Sequence, residues 1–202
     1  CLAAEGSSLA GLTGTNDAGA LKGTERFMSN KNVQLKSLRT SLYEVTFEQA
    51  VQCRLLVVAY DPTLLDFSMQ NQKKDRMRIG NGDGRGYAWL NSAGIDPDTG
   101  RFLGPVHQSL VSADGPDDTD LVDYTTGATK EEYLEKLLFN PKQQFLAHAL
   151  AVHQRAPADL QIVFVADREF DDGLTFRVLV GLSAMRHFII RSNDARAVQV
   201  QD

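Results

Sequence analysis

Leu55-Leu56-Val57-Val58-Ala59-Tyr60-Asp61-Pro62-Thr63 is the stretch on which the reading of the fold turns. An unbroken apolar run here meets an acid, a proline and a hydroxyl. A short run of this kind, rich in branched side chains, predicts a strand buried on both faces, the pattern of a parallel sheet covered by helices. Pro62 restricts the residue before it to extended backbone, which keeps Asp61 in the strand's direction with its carboxylate at the sheet edge. In open α/β sheets that carboxyl edge is where ligands bind.

The pattern returns about a hundred residues later, where Leu160-Gln161-Ile162-Val163-Phe164-Val165-Ala166 runs into Asp167-Arg168-Glu169. Parallel neighbouring strands would bring Asp61 and Asp167 to one edge. Two carboxylates held close resist joint ionisation unless a cation lies between them. Hard oxygen ligands select Mg²⁺ or Mn²⁺ over zinc. The plainer alternative is that each acid ends its strand or caps the next helix.

At 202 residues the chain is long enough to bury a full core. Its 43% hydrophobic and 23% charged residues are the balance of an ordinary globular protein. No stretch approaches the roughly eighteen apolar residues of a membrane helix, and the start shows no signal-peptide pattern. Cys1 and Cys53 are too few for a disulfide framework or a zinc site, which fits a reducing cytosol. A first residue other than methionine, and a last strand close to the end, suggest a piece of a longer protein.

A net charge of -5 argues mildly against a nucleic-acid partner, but the charges are segregated. Lys73, Lys74, Arg76, Arg78 and Arg85 stand against only Asp75 and Asp83, while Asp114, Asp117, Asp118, Asp120 and Asp123 form an acidic stretch. The basic loop, expected exposed and mobile on the Asp61 side of the sheet, suits a phosphate backbone. A solvated surface loop is the alternative.

Elsewhere the periodicity predicts a helix from near Asp17 through Met28, broken by Asn30-Lys31-Asn32. A second carries Leu35, Leu38, Leu42 and Val45 at helical spacing and runs to about Gln52. The glycine-punctuated segment from Ile79 to Gly86 reads as a turn, since it lacks the Lys-Ser/Thr ending of a phosphate loop. Tyr87 to Gly94 and Phe102 to Val111 read as an antiparallel pair joined by the turn at Asp96-Pro97-Asp98-Thr99-Gly100. Helices are expected over residues 131–138 and around Phe145 to His153, with His148 and His153 as ordinary core or surface histidines. A crossover helix bearing Leu174, Val178, Leu179 and Leu182 then leads to a last strand at Arg186. The expected architecture is α/β, a ribonuclease-H-like mixed sheet. It has a three-strand start and helix crossovers to two parallel strands. Residues 1–54 form a helical lead-in and 55–202 the core.

Several motifs carry a family resemblance. They are Glu25-Arg26-Phe27 with Asn30 and Val33, Asp61-Pro62-Thr63 with Asp66-Phe67-Ser68, Asp167-Arg168-Glu169-Phe170-Asp171, and Arg186-His187-Phe188-Ile189-Ile190-Arg191-Ser192. In this order the chain, over roughly residues 18–193, resembles the catalytic region of bacterial DDE transposases of the insertion-sequence-four group. The resemblance implies cut-and-paste transposition, in which three acids hold two Mg²⁺ or Mn²⁺ ions for in-line attack on a phosphodiester. Asp61 would be the first acid, Asp167 the second, and Arg168 a contact to the scissile phosphate. It also implies double-stranded DNA (transposon ends and target) as partner, a dimeric active complex, and a cytoplasmic, nucleoid-associated setting with no membrane.

The chain departs from that family in three respects. Pro62 replaces a threonine, no tyrosine-arginine-glutamate-lysine signature supplies the third acid, and the N-terminal DNA-binding region has no counterpart. Glu169 is expected to start the crossover helix, and Asp66 would need its loop folded back, so neither replaces the third acid. The 202 residues are therefore expected not to cut DNA alone. A non-catalytic DNA-binding remnant is the alternative. A phosphotransferase with Asp61 as nucleophile is disfavoured because Thr63 stands where its second acid belongs.

Overall fold

The computed structural model describes residues 18–80, 82–117, 141–171 and 173–192. The helix expected at 131–138, most of the acidic stretch and the chain's first seventeen residues lie outside the described residues. The chain divides into two compact units, Cys1–Thr40 and Ser41–Asp202.

In the first unit, α1 (Ala18–Met28) ends where the Asn30 carboxamide oxygen accepts from the Asn32 amide at 3.0 Å. A short polar side chain here offers the backbone a turn in place of another helical bond. The next helix, α2 (Leu35–Ala50), enters the second unit at Ser41. Its apolar stripe does not make the core: Leu42 and Val45 are each 51% exposed, and Leu35 and Leu38 are exposed as well. Tyr43, Phe47 and Ala50 are buried instead. Two aromatic rings bury more apolar surface than the leucine edge would, and they decide which way the helix turns.

The second unit contains β1 (Leu56–Asp66), β2 (Met77–Arg78), β3 (Arg85–Asp96), β4 (Arg101–Ser112), β5 (Gly115–Pro116), β6 (Ile162–Ala166) and β7 (Arg186–Ile190). Among the described residues these form one sheet in the order β5-β4-β3-β1-β6-β7, with β2 paired to β3. β3 runs antiparallel to β1 and β4 antiparallel to β3, whereas β6 runs parallel to β1 and β7 parallel to β6. This is an α/β unit with an open, mixed sheet. The expected hairpin forms, its turn held by Asp96, which accepts from the Asp98 amide (3.0 Å) and the Thr99 hydroxyl (2.6 Å). Gly100 closes the turn at φ +69°, a conformation that costs glycine little.

α3 (Pro141–Arg155) and α4 (Gly173–Val180) complete the unit. The Tyr60 ring lies 5.1 Å from Phe145, 5.1 Å from His148 and 5.2 Å from Phe170. Phe176 of α4 stacks on Phe188 of β7 at 5.4 Å. Both contacts, and Thr46 of α2 against the position of Gly94, lie on the sheet face that bears Leu56, Val58 and Tyr60. The opposite face is only half covered among the described residues: Val57, Ala59, Val163 and Val165 are intermediate and Ile189 is 63% exposed. The burial on both faces expected of the first strand is therefore replaced by alternation, because among the described residues the helices that contact the sheet do so on this one face.

β1 is also longer than the run that announced it. Its ladder with β6 spans Leu56 to Ala59, but its ladder with β3 continues to Asp66. The Leu56 amide donates to Gln161 O at 2.9 Å, so amides two and four residues on face the same side, and that of Pro62 would too. Past Tyr60 that side has no strand among the described residues, and a proline there breaks no ladder bond.

Polar groups tie α3 to the sheet. His148, buried, places Nδ1 2.9 Å from the Ser92 hydroxyl and Nε2 2.8 Å from that of Ser109. Arg155 donates to His107 Nδ1 at 2.8 Å, and Arg186 Nε donates to His153 Nδ1 at 3.2 Å. A guanidinium has no acceptor, so both imidazoles present a lone pair at Nδ1.

Three substitutions test this packing. A Cβ at Gly86 would overlap the Leu65 carbonyl oxygen, so Gly86→Ala should cost about 2 kcal/mol or more by urea unfolding. Gly23→Ala, with open space around it, should cost nothing. Burial, and then Arg186, push the His153 pKa below its ordinary 6.5. The unfolded chain then binds the proton first. His153 thus adds stability that is full above pH 6.5 and is lost as pH falls from there through its folded value. His153→Gln should flatten that part of the stability–pH curve.

Candidate functional site

Asp61 lies within β1, and Asp167 directly follows β6, the parallel neighbour of β1. Ala59 is in register with Val165, and each acid lies two residues further on. Asp61 is not at the end of its strand, as expected, but inside it, where the β6 ladder has stopped and β3 continues. Both acids are exposed.

Asp167 has local duties. Extended at φ -76° and ψ 172°, it caps the 3-10 turn Arg168–Phe170, its carboxylate accepting from the Arg168 amide at 2.7 Å. Arg191, just past β7, approaches the same oxygen at 4.0 Å. An exposed pair at that distance contributes little to stability. Arg168 itself is exposed at the turn.

Glu169 lies in the 3-10 turn, not at the start of the crossover helix, which begins at Gly173. Burial first, then the charges of Asp167 and Asp61, push its pKa up. Sequence spacing gave no sign of this proximity, which depends on a tight turn folding the chain back over the strand ends. Beneath it, burial, Glu169 and Asp61 keep the Tyr60 hydroxyl protonated. That oxygen is buried with no hydrogen-bond partner among the described residues. Asp66 is engaged elsewhere: it accepts from the Ser68 amide at 2.8 Å and from its hydroxyl, which hold its carboxyl below the usual range. Among the described residues no three His, Cys, Asp or Glu side chains are gathered as a metal cage requires.

The basic segment leaves the end of β1 and returns into β3, at the end of the sheet that carries both acids. Its residues differ in role. Arg76, expected exposed, is half-buried and donates to the carbonyls of Lys73 (2.8 Å), Phe67 (2.7 Å) and Ser68 (3.0 Å). Arg78 donates to Gly82 O at 2.8 Å, and the Lys73 ammonium lies 5.3 Å from the Phe67 ring. Tyr87 donates to Asp75 at 2.7 Å, which lowers the Asp75 pKa. Lys74 and Arg85 project as exposed cations. A stretch that looked like a string of equivalent charges is a folded loop with one guanidinium at its centre.

On the Asp61 side of the sheet, Asn91 is the cross-strand partner of Asp61, and Gln108 that of Asn91. No protein-family model matches the chain, and no curated protein sequence matches it either. No helix of the described residues is long and apolar enough to cross a membrane.

The division of labour in the loop is measurable. Arg76→Ala should speed amide exchange from Phe67 to Arg85 and lower the melting temperature. Lys74→Ala with Arg85→Ala should leave both unchanged.

Proposed function

We propose that the chain is the catalytic region of a DDE-type DNA transposase, built on a ribonuclease-H-like sheet and acting on double-stranded DNA. The observation that carries the reading is the parallel register of β1 and β6, in which Ala59 faces Val165 and Asp61 and Asp167 each follow two residues on. The order β4-β3-β1-β6-β7, with three antiparallel strands followed by two parallel to β1, supports the fold assignment.

Two exposed carboxylates at this end of the sheet would suit one Mg²⁺ or Mn²⁺, a cation that takes hard oxygens and keeps several waters. When bound, such an ion lowers the pKa of a coordinated water or hydroxyl and stabilises the leaving oxygen. Asp61 and Asp167 would hold and orient it. Arg168, beside Asp167, binds and orients the scissile phosphate, for which a guanidinium fork is suited. Lys73, Lys74, Arg78 and Arg85 contact the DNA backbone, and Arg76 holds their loop in shape. The intact enzyme takes two ions and works as a dimer on transposon ends in the cytoplasm, with the nucleoid as target. A second ion needs a third carboxylate, which the described residues do not place with the first two.

A second reading, a ribonuclease-H-like DNA-binding remnant, is favoured by the capping bond and ion pair that already engage Asp167. One experiment separates the two. With millimolar Mn²⁺, backbone amide signals around Asp61 and Asp167 should broaden, and Asp61→Asn should abolish the effect, while duplex DNA with Mg²⁺ stays uncut. No Asp61-dependent broadening would favour the remnant. Cleavage lost on Asp61→Asn or Asp167→Asn would instead show that this chain contains its own third ligand.

A further inference from the structure

Asn91 lies directly across the β1–β3 ladder from Asp61, on the same face of the sheet. Its side chain is fixed in a way that a solvent-facing asparagine does not need. The Trp89 indole N–H donates to Asn91 Oδ1, and Gln108 Nε2 donates to the same oxygen at 2.8 Å. An indole nitrogen only donates, so the carboxamide oxygen must face Trp89 and the NH₂ must point away. Turning the amide over would set its N–H against the indole N–H and lose the Trp89 bond, whichever way Gln108 faces. Trp89, Asn91 and Gln108 are all half-buried, which strengthens the lock.

The locked NH₂ makes no hydrogen bond to any described residue, Asp61 included. Two fixed donors thus stand next to an exposed carboxylate and open onto the same surface. The chemistry of the pair is selective. A lysine or arginine across from Asp61 would form an ion pair with it and compete with a divalent cation. A neutral amide leaves the carboxylate to the metal and still offers N–H groups to an anionic oxygen. A phosphodiester bound at a metal presents two non-bridging oxygens, one for the ion and one for a neighbouring donor.

We propose that Asn91, locked by Trp89 and Gln108, donates through Nδ2 to a non-bridging phosphate oxygen of the DNA strand bound at Asp61 and Asp167. This rests on the metal-dependent reading given above. Asn91 is then a substrate contact, and Trp89 and Gln108 are positioning residues that act through it.

The test follows the Asn91 side-chain amide in ¹⁵N–¹H spectra of the full 202-residue chain, its signal assigned by loss in Asn91→Asp. The probes are Mn²⁺ alone, then a short duplex DNA with Mg²⁺. The DNA should shift the Asn91 NH₂ pair, and Asn91→Ala should weaken DNA binding about ten-fold, the usual effect of losing a hydrogen bond to a charged group. Trp89→Phe removes the indole donor and should give a smaller loss, with the Asn91 amide broadened by regained rotation. Should Asn91→Ala not fold, Asn91→Leu, neutral, similar in size and without the donors, serves in its place. If Mn²⁺ and DNA both act in an Asp61-dependent way while the Asn91 amide stays still and its variants bind as the parent does, this proposal fails and the metal site stands. If neither probe has an Asp61-dependent effect, the metal site fails and this proposal with it.

Discussion

The parallel ladder between Leu56–Ala59 of β1 and the facing residues of β6 is the constraint from which the site follows. It is short, but its register is tightly held. A slip of one residue would carry every side chain of β1 to the other face. Tyr60 would then leave the pocket of Phe145, His148 and Phe170, forfeiting a buried aromatic side chain worth about 1.5–3 kcal/mol. Asp61 would enter that apolar pocket unpaired, a larger penalty. The aromatic core thus selects the one register in which Asp61 and Asp167 are neighbours.

The two faces of the sheet accordingly do different work. The helix-covered face buries polar groups as well as apolar ones, and several of them carry structural bonds. His148 joins β3 to β4 through two serines, and Arg186, nearly buried, donates to the carbonyls of Leu160 and Pro157 and to His153. Such networks specify one arrangement of helix on sheet, since removing one member strands the rest. The open face is where Asp61, Thr63, Trp89, Asn91 and Gln108 lie, and it keeps acceptors and donors at the surface. A rigid polar interior on one side lets the other stay exposed without losing its geometry.

Much of this was legible in the chain. The two apolar runs ending in aspartate became β1 and β6 as parallel neighbours, and Asp96-Pro97-Asp98-Thr99-Gly100 became the hairpin turn. Those readings rest on local rules of period and turn chemistry. What sequence could not show depended on competition between alternatives. Leu35, Leu38, Leu42 and Val45 match a helical stripe as well as Tyr43, Phe47 and Ala50 do, and only the size of the rings settles the outcome. Arg76 is indistinguishable from its basic neighbours until the carbonyls of Phe67 and Ser68 converge on it. Asn91 carries no motif, and its position became visible only through the β1–β3 register.

Pro62 has a consequence beyond local geometry. Where β6 stops, the outer edge of β1 from Tyr60 to Asp66 is a row of backbone groups with no strand beside it among the described residues. Such an edge invites a strand from another molecule, the first step toward aggregation. Pro62 places a gap in the donors on that very side, and Asp61 and Asp66 put negative charge within the same stretch. An incoming strand would lose a ladder bond at Pro62 and meet repulsion if it were acidic itself. Among the described residues, the residue that ends the apolar run thus also weakens strand pairing along this edge.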